Sequence, residues 1–220
     1  MKTVETEPTS TKRMLWVGVA LTVALLLTAA AAGFLRQRAS ATPLPVYGRV
    51  GSFTLTNQNG QAVTLADLQG HVWVADIIFT RCAGPCPAMT RQMRDLQNAL
   101  PGSSSARLVS LTTDPDFDTP SVLKTYAERF GADAGRWFFL TGTKREIGSL
   151  AIDSLKLTAV EKTPEERKDP EDLFIHSTLL VLVDAQGQLR GIYPTTGLDG
   201  ERQPVTSQVI KDILRLERTP

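Results

Sequence analysis

The sequence contains two cysteines, Cys82 and Cys86, which stand four positions apart in a chain of 220 residues. An apolar run at residues 72–79 precedes them and has the β-branched and aromatic content of a buried strand. A stripe with the spacing of a buried helix face follows them, formed by Met89, Met93, Leu96 and Leu100. The pattern predicts two thiols where a strand passes into the first turn of a helix.

Thiols at this position have two chemical uses. Unpaired backbone N–H groups and the positive end of the helix dipole favour thiolate at a helix N-terminus. Residues four apart on a helix share one face, so both sulfurs can bind one soft metal ion or close into a disulfide. The alternative is a pair of small core residues. Gly84, Pro85 and Pro87 mark a chain reversal and favour the functional interpretation.

Composition excludes some classes of function. A net charge of +1 gives no electrostatic basis for binding a nucleic acid. A hydrophobic content of 42% and a charged content of 21% are ordinary for a globular protein. Two cysteines are too few for a disulfide scaffold, which again favours a functional pair.

The N-terminal part of the sequence predicts a membrane anchor. Residues 14–35 carry no charge and are long enough to span a bilayer as a helix. Residues 1–13 are expected to form a cytoplasmic tail, residues 36–45 a linker, and residues 46–220 the folded domain. A cleaved signal peptide is the alternative, although its apolar region is usually shorter, about 7–15 residues. Positive charges on the two sides are nearly balanced and give little information on orientation.

Strand and helix patterns alternate along the domain. A hairpin is expected around Asn59-Gly60, because Asn-Gly suits a type I′ turn. Further strands are predicted at residues 72–79, 107–111, 137–140, 178–183 and 188–193. One helix is predicted to carry Cys86 and a second to begin after Thr119. A third is marked by Ile147, Leu150, Ala151 and Leu155, and a last one by Val205, Val209, Ile213 and Leu216. Residues 161–172 look like a charged loop without periodicity. The order predicts an α/β domain with a largely parallel sheet and a closing antiparallel hairpin, with the thiols at the C-terminal end of a strand.

The thiol segment resembles a known family. The pattern Phe79-Thr80-x-Cys82-x-x-x-Cys86-Pro87 is similar to the copper-binding motif of the Sco/SenC proteins, which have a thioredoxin-like fold. Three further blocks agree in the right order: Val109-Ser-Leu-Thr-Thr-Asp114-Pro115-x-x-Asp118-Thr119-Pro120, Tyr126-Ala-Glu-Arg-Phe-Gly131, and His176-Ser177 before a strand ending in Asp184-x-x-Gly187. The similarity covers roughly residues 46–216, and an N-terminal membrane anchor is common in that family.

The resemblance implies a copper metallochaperone. Copper would be bound by Cys82, Cys86 and the distant His176; thiolates select Cu(I), while imidazole suits both Cu(I) and Cu(II). Members of the family help mature the CuA site of cytochrome c oxidase, by delivering copper or by reducing its cysteines. The implied partners are the CuA-bearing subunit or another copper chaperone, and a protein that reduces thiols. The domain is then expected on the outer, periplasmic or extracytoplasmic, side of the inner membrane.

One departure from the family pattern keeps a second function open. Family members usually have proline after the first cysteine, and here that residue is Ala83. The following Gly84-Pro85-Cys86 is similar to part of the Cys-Gly-Pro-Cys motif of thioredoxin, with one residue inserted. A metal-independent thiol–disulfide oxidoreductase, with a redox-active Cys82–Cys86 pair that is a disulfide when oxidised, is therefore the alternative.

Whether the protein is an enzyme stays open, and a peroxiredoxin-like peroxidase has less support. His176 favours copper, since a dithiol oxidoreductase needs no imidazole facing its cysteines.

The remaining candidates are weaker. His71 follows Gly70 at the start of a strand, where surface solvation explains it. Met89 and Met93 could be thioether ligands, yet their helical stripe favours core packing. Asp114 and Asp118 either support the metal site from behind its ligands or shape a turn and a helix cap.

Overall fold

The computed structural model describes residues 9–39, 43–167, 173–195 and 205–218. The chain divides into two compact units, Met1–Pro43 and Leu44–Pro220. The first contains one helix, α1 (Thr9–Ala39). Within it, Arg13–Ala32 has a mean hydropathy of 2.2 and is long and apolar enough to cross a membrane. The expected tail falls mostly on residues 1–8, which lie outside the described residues, as do residues 40–42 of the expected linker.

The second unit is built on a mixed sheet of eight strands in the order β1-β10-β9-β4-β5-β6-β2-β3. The strands are β1 (Gly48–Arg49), β2 (Thr54–Asn57), β3 (Ala62–Thr64), β4 (Trp73–Ile78), β5 (Arg107–Thr112), β6 (Trp137–Thr141), β9 (Leu179–Val183) and β10 (Gln188–Pro194). Two further strands, β7 (Ala159–Glu161) and β8 (Phe174–His176), pair with each other in a separate antiparallel ribbon.

Helices cover both faces of the sheet. They are α2 (Leu65–Leu68), α3 (Cys86–Ala99), α4 (Pro120–Arg129), α5 (Lys144–Gly148) and α6 (Thr206–Glu217). A π-helical turn, Ser149–Ser154, continues α5. One core cluster gathers apolar residues of α3, α4 and α6 with Val74 and Leu108. The other gathers α5 and the π-helical turn with Trp73 and Val109. Neighbouring residues of β4 enter different clusters because side chains alternate along a strand.

Most predicted elements are confirmed. The hairpin β2–β3 is present, but four residues join it, because the Asn57 side chain accepts hydrogen bonds from the backbone N–H groups of Asn59 and Gln61. Thr119 caps α4 by accepting a hydrogen bond from Val122 N–H, and Gly131 follows the helix at a φ of 68°. Both features match the expected start and stop of this helix.

The predicted combination of parallel strands and a closing antiparallel hairpin is present as a mixed sheet flanked by helices, with two differences in detail. Fewer strands are parallel than predicted, since among the described strands only the pairs β4–β5 and β5–β6 run parallel. The β9 strand runs antiparallel to β4. Between β6 and β9 the chain passes through the β7–β8 ribbon, so it enters β9 from the end of the sheet at which β4 ends. The segment expected to be an irregular loop holds the end of β7 and a 3₁₀ turn, Pro164–Glu166. Residues 168–172 of that segment lie outside the described residues.

Candidate metal and thiol site

The two thiols lie where β4 passes into α3. All six residues of β4 are buried, and the strand ends four residues before Cys82. The Cys82 N–H donates to the Phe79 carbonyl at 3.2 Å, which closes a turn directly after the strand. Pro85 then starts the helix: its carbonyl accepts from the N–H groups of Ala88 and Met89 at 2.9 and 3.0 Å. The predicted position of the pair is confirmed.

Neither cysteine is in a disulfide, and their side chains contact each other. Cys86 is fully buried in the core and Cys82 is 8% exposed. The Cys82 side chain is hydrogen-bonded to the Cys86 thiol. Two soft sulfur donors in mutual contact fit a soft ion such as Cu(I), and they are also placed for oxidation to a disulfide.

Burial opposes the thiolate form that a helix N-terminus would favour at Cys86. Burial raises the pKa of the Cys86 thiol strongly, and the hydrogen bond and charge of Cys82 raise it further. A hydrogen bond from the Phe79 backbone acts in the opposite direction without offsetting the burial. Desolvation disfavours the charged thiolate because the sulfur lies inside the core. The metal-free site therefore holds Cys86 as a neutral thiol.

Asp118 fixes the loop that carries Cys82. Its carboxylate accepts from the Thr80 N–H at 3.1 Å, from the Thr80 hydroxyl at 2.5 Å and from the Thr112 hydroxyl at 2.5 Å. Burial raises the pKa of this carboxyl, while the hydrogen bonds from Thr112 and Thr80 oppose that rise. One buried side chain thus joins the end of β5 to the residue two positions before Cys82.

Asp114 holds the next residue of the same loop. The Arg81 guanidinium donates to its carboxylate at 2.5 Å and lies 4.1 Å from the centre of the Phe117 ring. Asp114 is buried, whereas the Arg81 side chain is 41% exposed. Asp114 and Asp118 therefore shape their own loop and also contact the residues that precede Cys82. Supporting the thiol site and shaping a turn are thus not exclusive roles for these two carboxylates.

Sequence reasoning missed Asp76, a fully buried carboxylate in the middle of β4. The Ser110 hydroxyl donates to it at 2.6 Å, and the Trp137 indole N–H donates to Ser110 at 3.0 Å. Its negative charge adds to the rise in the pKa of Cys86. An acidic residue inside an otherwise apolar strand was the signal that pointed to it.

The histidines and methionines that were weighed as possible ligands lie at different positions. His71 precedes β4, at the opposite end of that strand from the thiols, and its Nδ1 lies 3.0 Å from the Ser105 carbonyl oxygen. Met89 and Met93 are buried at 1% and 0% exposure, as expected for core residues. His176 is the last residue of β8, where its backbone is paired with Ala159.

An aromatic contact connects the strand of His176 with the thiol segment. The Phe174 ring, two residues before His176, packs edge-on against Phe79, with 5.1 Å between ring centres. Among the side chains that the structure describes, no three His, Cys, Asp or Glu residues group closely enough to hold a metal ion. The described part of the site is thus the thiol pair with its supporting carboxylates.

A mixed sheet with helices on both faces and a dithiol at the C-terminal end of a central parallel strand defines a thioredoxin-like thiol protein. Residues 45–213 match the family model described as SCO1/SenC. The chain belongs to the SCO1/SenC family.

Relatives and solved structures agree with this assignment. The chain is 40% identical to the SCO1 protein homolog of Bacillus subtilis over 147 residues, which are 66% of this chain and 73% of that protein. It also matches a solved structure of BsSco, a member of the Sco family of cytochrome c oxidase assembly proteins in which a disulfide switch was identified. That match has a TM-score of 0.67 and 33% identity, and it covers 81% of this chain and 99% of the BsSco chain. It also matches Bradyrhizobium japonicum ScoI with copper bound, with a TM-score of 0.62 and 26% identity, covering 77% and 99%.

Proposed function

We propose that this chain is a membrane-anchored copper chaperone that binds copper through Cys82, Cys86 and His176. The observation that carries the proposal is the pair of buried, reduced thiols in mutual contact at the start of α3. Two thiolates provide soft donors for Cu(I), and an added imidazole allows Cu(II) to be held as well. The copper-bound ScoI relative supports copper as the cargo.

The placement of β8 supports His176 as the third ligand. Phe174 of this strand contacts Phe79, three residues before Cys82. The strand that carries His176 therefore passes beside the thiol segment, although some ninety residues separate them in sequence.

The client of the proposed chaperone is the CuA site of cytochrome c oxidase. Membership of the same family as BsSco, whose family is described as assembling that oxidase, supports this assignment. The protein would act on the site by delivering copper to it or by reducing its cysteines, and it would itself need a reducing partner. The apolar stretch Arg13–Ala32 supports a membrane anchor. The outer face is proposed for the domain because the proposed client lies on that side.

A metal-independent thiol–disulfide oxidoreductase is the second candidate. The contact between the Cys82 and Cys86 side chains favours it, since the same geometry serves disulfide formation. The Gly84-Pro85-Cys86 sequence also resembles the thioredoxin motif. Copper binding by the reduced protein separates the two candidates, because a simple dithiol oxidoreductase has no use for a third, imidazole ligand.

The test is copper stoichiometry on the full chain, purified in detergent and reduced. Cys82→Ser or Cys86→Ser removes one of two thiolates and should abolish tight Cu(I) binding. His176→Ala should keep part of the Cu(I) affinity and lose Cu(II), which depends more on nitrogen donors. His71→Ala is the matched control, since His71 lies at the far end of β4 and should have no effect. Wild-type binding of both oxidation states by His176→Ala would refute the ligand set.

The proposed topology has its own test. A reporter fused after Pro220 should be active only when it is exported, with residues 1–13 left inside. Activity restricted to the cytoplasm would contradict the placement of the domain on the outer face.

A further inference from the structure

The helix that carries Cys86 starts without a side-chain cap. Cys86 is the first residue of α3, and Pro85 at the cap position has no side chain that could accept a hydrogen bond from the first turn. The first turn of a helix has unpaired backbone groups and frays readily unless something outside the turn holds it. The position of Cys86 therefore depends on contacts that reach this turn from elsewhere in the fold.

A chain of two hydrogen bonds reaches this turn from α4. The Thr90 hydroxyl donates to the Cys86 carbonyl at 2.9 Å, and the Tyr126 hydroxyl lies 2.9 Å from the Thr90 hydroxyl. A threonine hydroxyl has one hydrogen, and here that hydrogen goes to a carbonyl, which can only accept. Tyr126 is therefore the donor to Thr90, and the chain runs from Tyr126 through Thr90 to Cys86.

Aromatic packing fixes the phenol at the start of this chain. The centre of the Tyr126 ring lies 4.8 Å from that of Phe130 and 6.0 Å from that of Phe139 in β6. Tyr126 is buried, and burial raises the pKa of its hydroxyl, with the nearby Cys86 and Asp76 adding to the rise. The phenol is thus a neutral hydrogen-bond donor, held in one place beside the thiol pair.

Thr90 differs from an ordinary helical threonine. A threonine hydroxyl that donates to the carbonyl four residues earlier is a local feature of many helices, and Thr125 makes such a bond to Ser121 at 3.2 Å on the exposed side of α4. Thr90 is instead fully buried, and its oxygen accepts a second hydrogen bond from another helix. Buried hydrogen bonds in a chain polarise and strengthen one another, so the loss of either hydroxyl should affect Cys86.

We propose that Tyr126 is a positioning residue for Cys86 and acts through the Thr90 hydroxyl. The chain holds the backbone carbonyl of Cys86, while Cys82 and the Phe79 backbone are hydrogen-bonded to its thiol. The Cys86 sulfur thus stays within reach of Cys82, both for binding copper and for closing the disulfide. The copper part of this inference rests on the proposed function, whereas the disulfide part is measured in the metal-free protein.

The experiment measures the dithiol–disulfide equilibrium of the metal-free full chain in detergent, set by dithiothreitol buffers at constant pH. In this exchange Cys82 and Cys86 lose two electrons and two protons as their S–S bond forms, and oxidised dithiothreitol takes up both as its own S–S bond opens to the dithiol. Tyr126→Phe removes only the hydroxyl, and Thr90→Val replaces the hydroxyl with a methyl group. Each should lower the equilibrium constant for disulfide formation about fivefold, the size expected when one net hydrogen bond no longer holds the two thiols together. Thr90→Ser keeps the hydroxyl and should remain at the wild-type value.

Two matched controls separate positioning from a general loss of stability. Tyr193→Phe removes a hydroxyl of β10 that donates to Asp212 of α6 at 2.9 Å, and Thr125→Val removes the hydroxyl of the exposed helical bond. Tyr193→Phe should lower the melting temperature as Tyr126→Phe does, because each loses one hydrogen bond of a phenol. Both controls should keep the wild-type dithiol–disulfide equilibrium.

Cu(I) affinity is measured on the same reduced variants by competition with bathocuproine disulfonate, and it should fall by a similar factor in Tyr126→Phe and Thr90→Val. A wild-type equilibrium in Tyr126→Phe would overturn the positioning role and leave the proposed function intact, even if Thr90→Val did not fold. An equal shift in Tyr193→Phe would reveal a general effect of stability and would also overturn the positioning role. A wild-type chain that bound no copper would overturn the proposed function, while the disulfide equilibrium would still decide the role of Tyr126.

Discussion

Asp118 accepts hydrogen bonds from both the backbone N–H and the hydroxyl of Thr80, at 3.1 and 2.5 Å. Thirty-eight positions separate the two residues in sequence, and the contact ties the loop after β5 to the loop after β4. Because Thr80 stands two residues before Cys82, its hydrogen bonds to the buried Asp118 carboxylate fix the start of the turn that carries Cys82. Asp118 thus acts on the site through Thr80 rather than by contact with the thiols.

Replacing Asp118 should damage both stability and copper binding. Asp118→Ala leaves the Thr80 N–H and two hydroxyls without their acceptor in a buried place, which should cost about 2–3 kcal/mol in the free energy of unfolding. The loop should also position Cys82 less well, so Cu(I) affinity should fall. Chemical denaturation and copper competition measure the two effects.

Asp116→Ala is the matched control for this prediction. Asp116 lies in the same loop but is exposed, and it forms a surface ion pair with Lys144. Surface ion pairs contribute about 0–1 kcal/mol, so this variant should remain close to wild type in both measurements. Equal losses in the two variants would show that the loop as a whole matters, and not the contact between Asp118 and Thr80.

Arg81→Ala should change the access to Cys82 more than it changes stability. The Arg81 side chain is 41% exposed, so its ion pair with Asp114 is screened and contributes about 1 kcal/mol or less. The guanidinium also packs on Phe117 beside the thiol loop, and its removal should make Cys82 react several times faster with iodoacetamide. Arg94→Ala is the control: Arg94 is 39% exposed and pairs with Asp95. An unchanged alkylation rate in Arg81→Ala would contradict a role in covering the thiol.

The thiol segment was readable from the sequence because its signals are local. An apolar run, a Gly-Pro turn and a helical stripe stand within thirty residues of one another, and each determines its own backbone. Among the supporting carboxylates, Asp118 was named only as one of two open interpretations, and Asp76 was missed. Asp76 and Asp118 act through Ser110 and Thr80, residues that only the pairing of β4 with β5 brings near.

The ribbon shows a different limit. Its strands are three residues long, too short for an alternating pattern to stand out against a charged segment. Its position follows from the contact of Phe174 with Phe79 and from the pairing of Val160 with Ile175, both of which are tertiary. His176 was predicted from a family resemblance, because no local pattern connects a histidine with thiols some ninety residues earlier.

Copper affinity should rise with pH across the neutral range. Burial raises the pKa of Cys86 far above neutrality, so the metal-free protein carries a proton on this thiol. Copper binding must release that proton, because the thiolate is the ligand. The sign is therefore positive: the apparent Cu(I) affinity should increase about tenfold per pH unit for each proton released. Competition with a chelator of known proton dependence measures the slope, and a flat profile would contradict the prediction.

The Cys82–Cys86 pair should form a reversible disulfide, and oxidation should abolish copper binding because the thiolate ligands no longer exist. Gly84 lies between the two cysteines and gives the turn the freedom that closure requires. A Cβ added at Gly84 would meet Cys82 Sγ at 3.8 Å, an ordinary van der Waals contact, so Gly84→Ala fits the reduced form. The variant should bind Cu(I) like wild type and form the disulfide more slowly, since alanine restricts the backbone.

Mild oxidation of the metal-free protein followed by thiol counting measures the rate of disulfide formation, and copper is then added to the oxidised sample. Two thiols surviving oxidation in the wild-type protein, or full copper binding after both thiols are lost, would defeat the prediction.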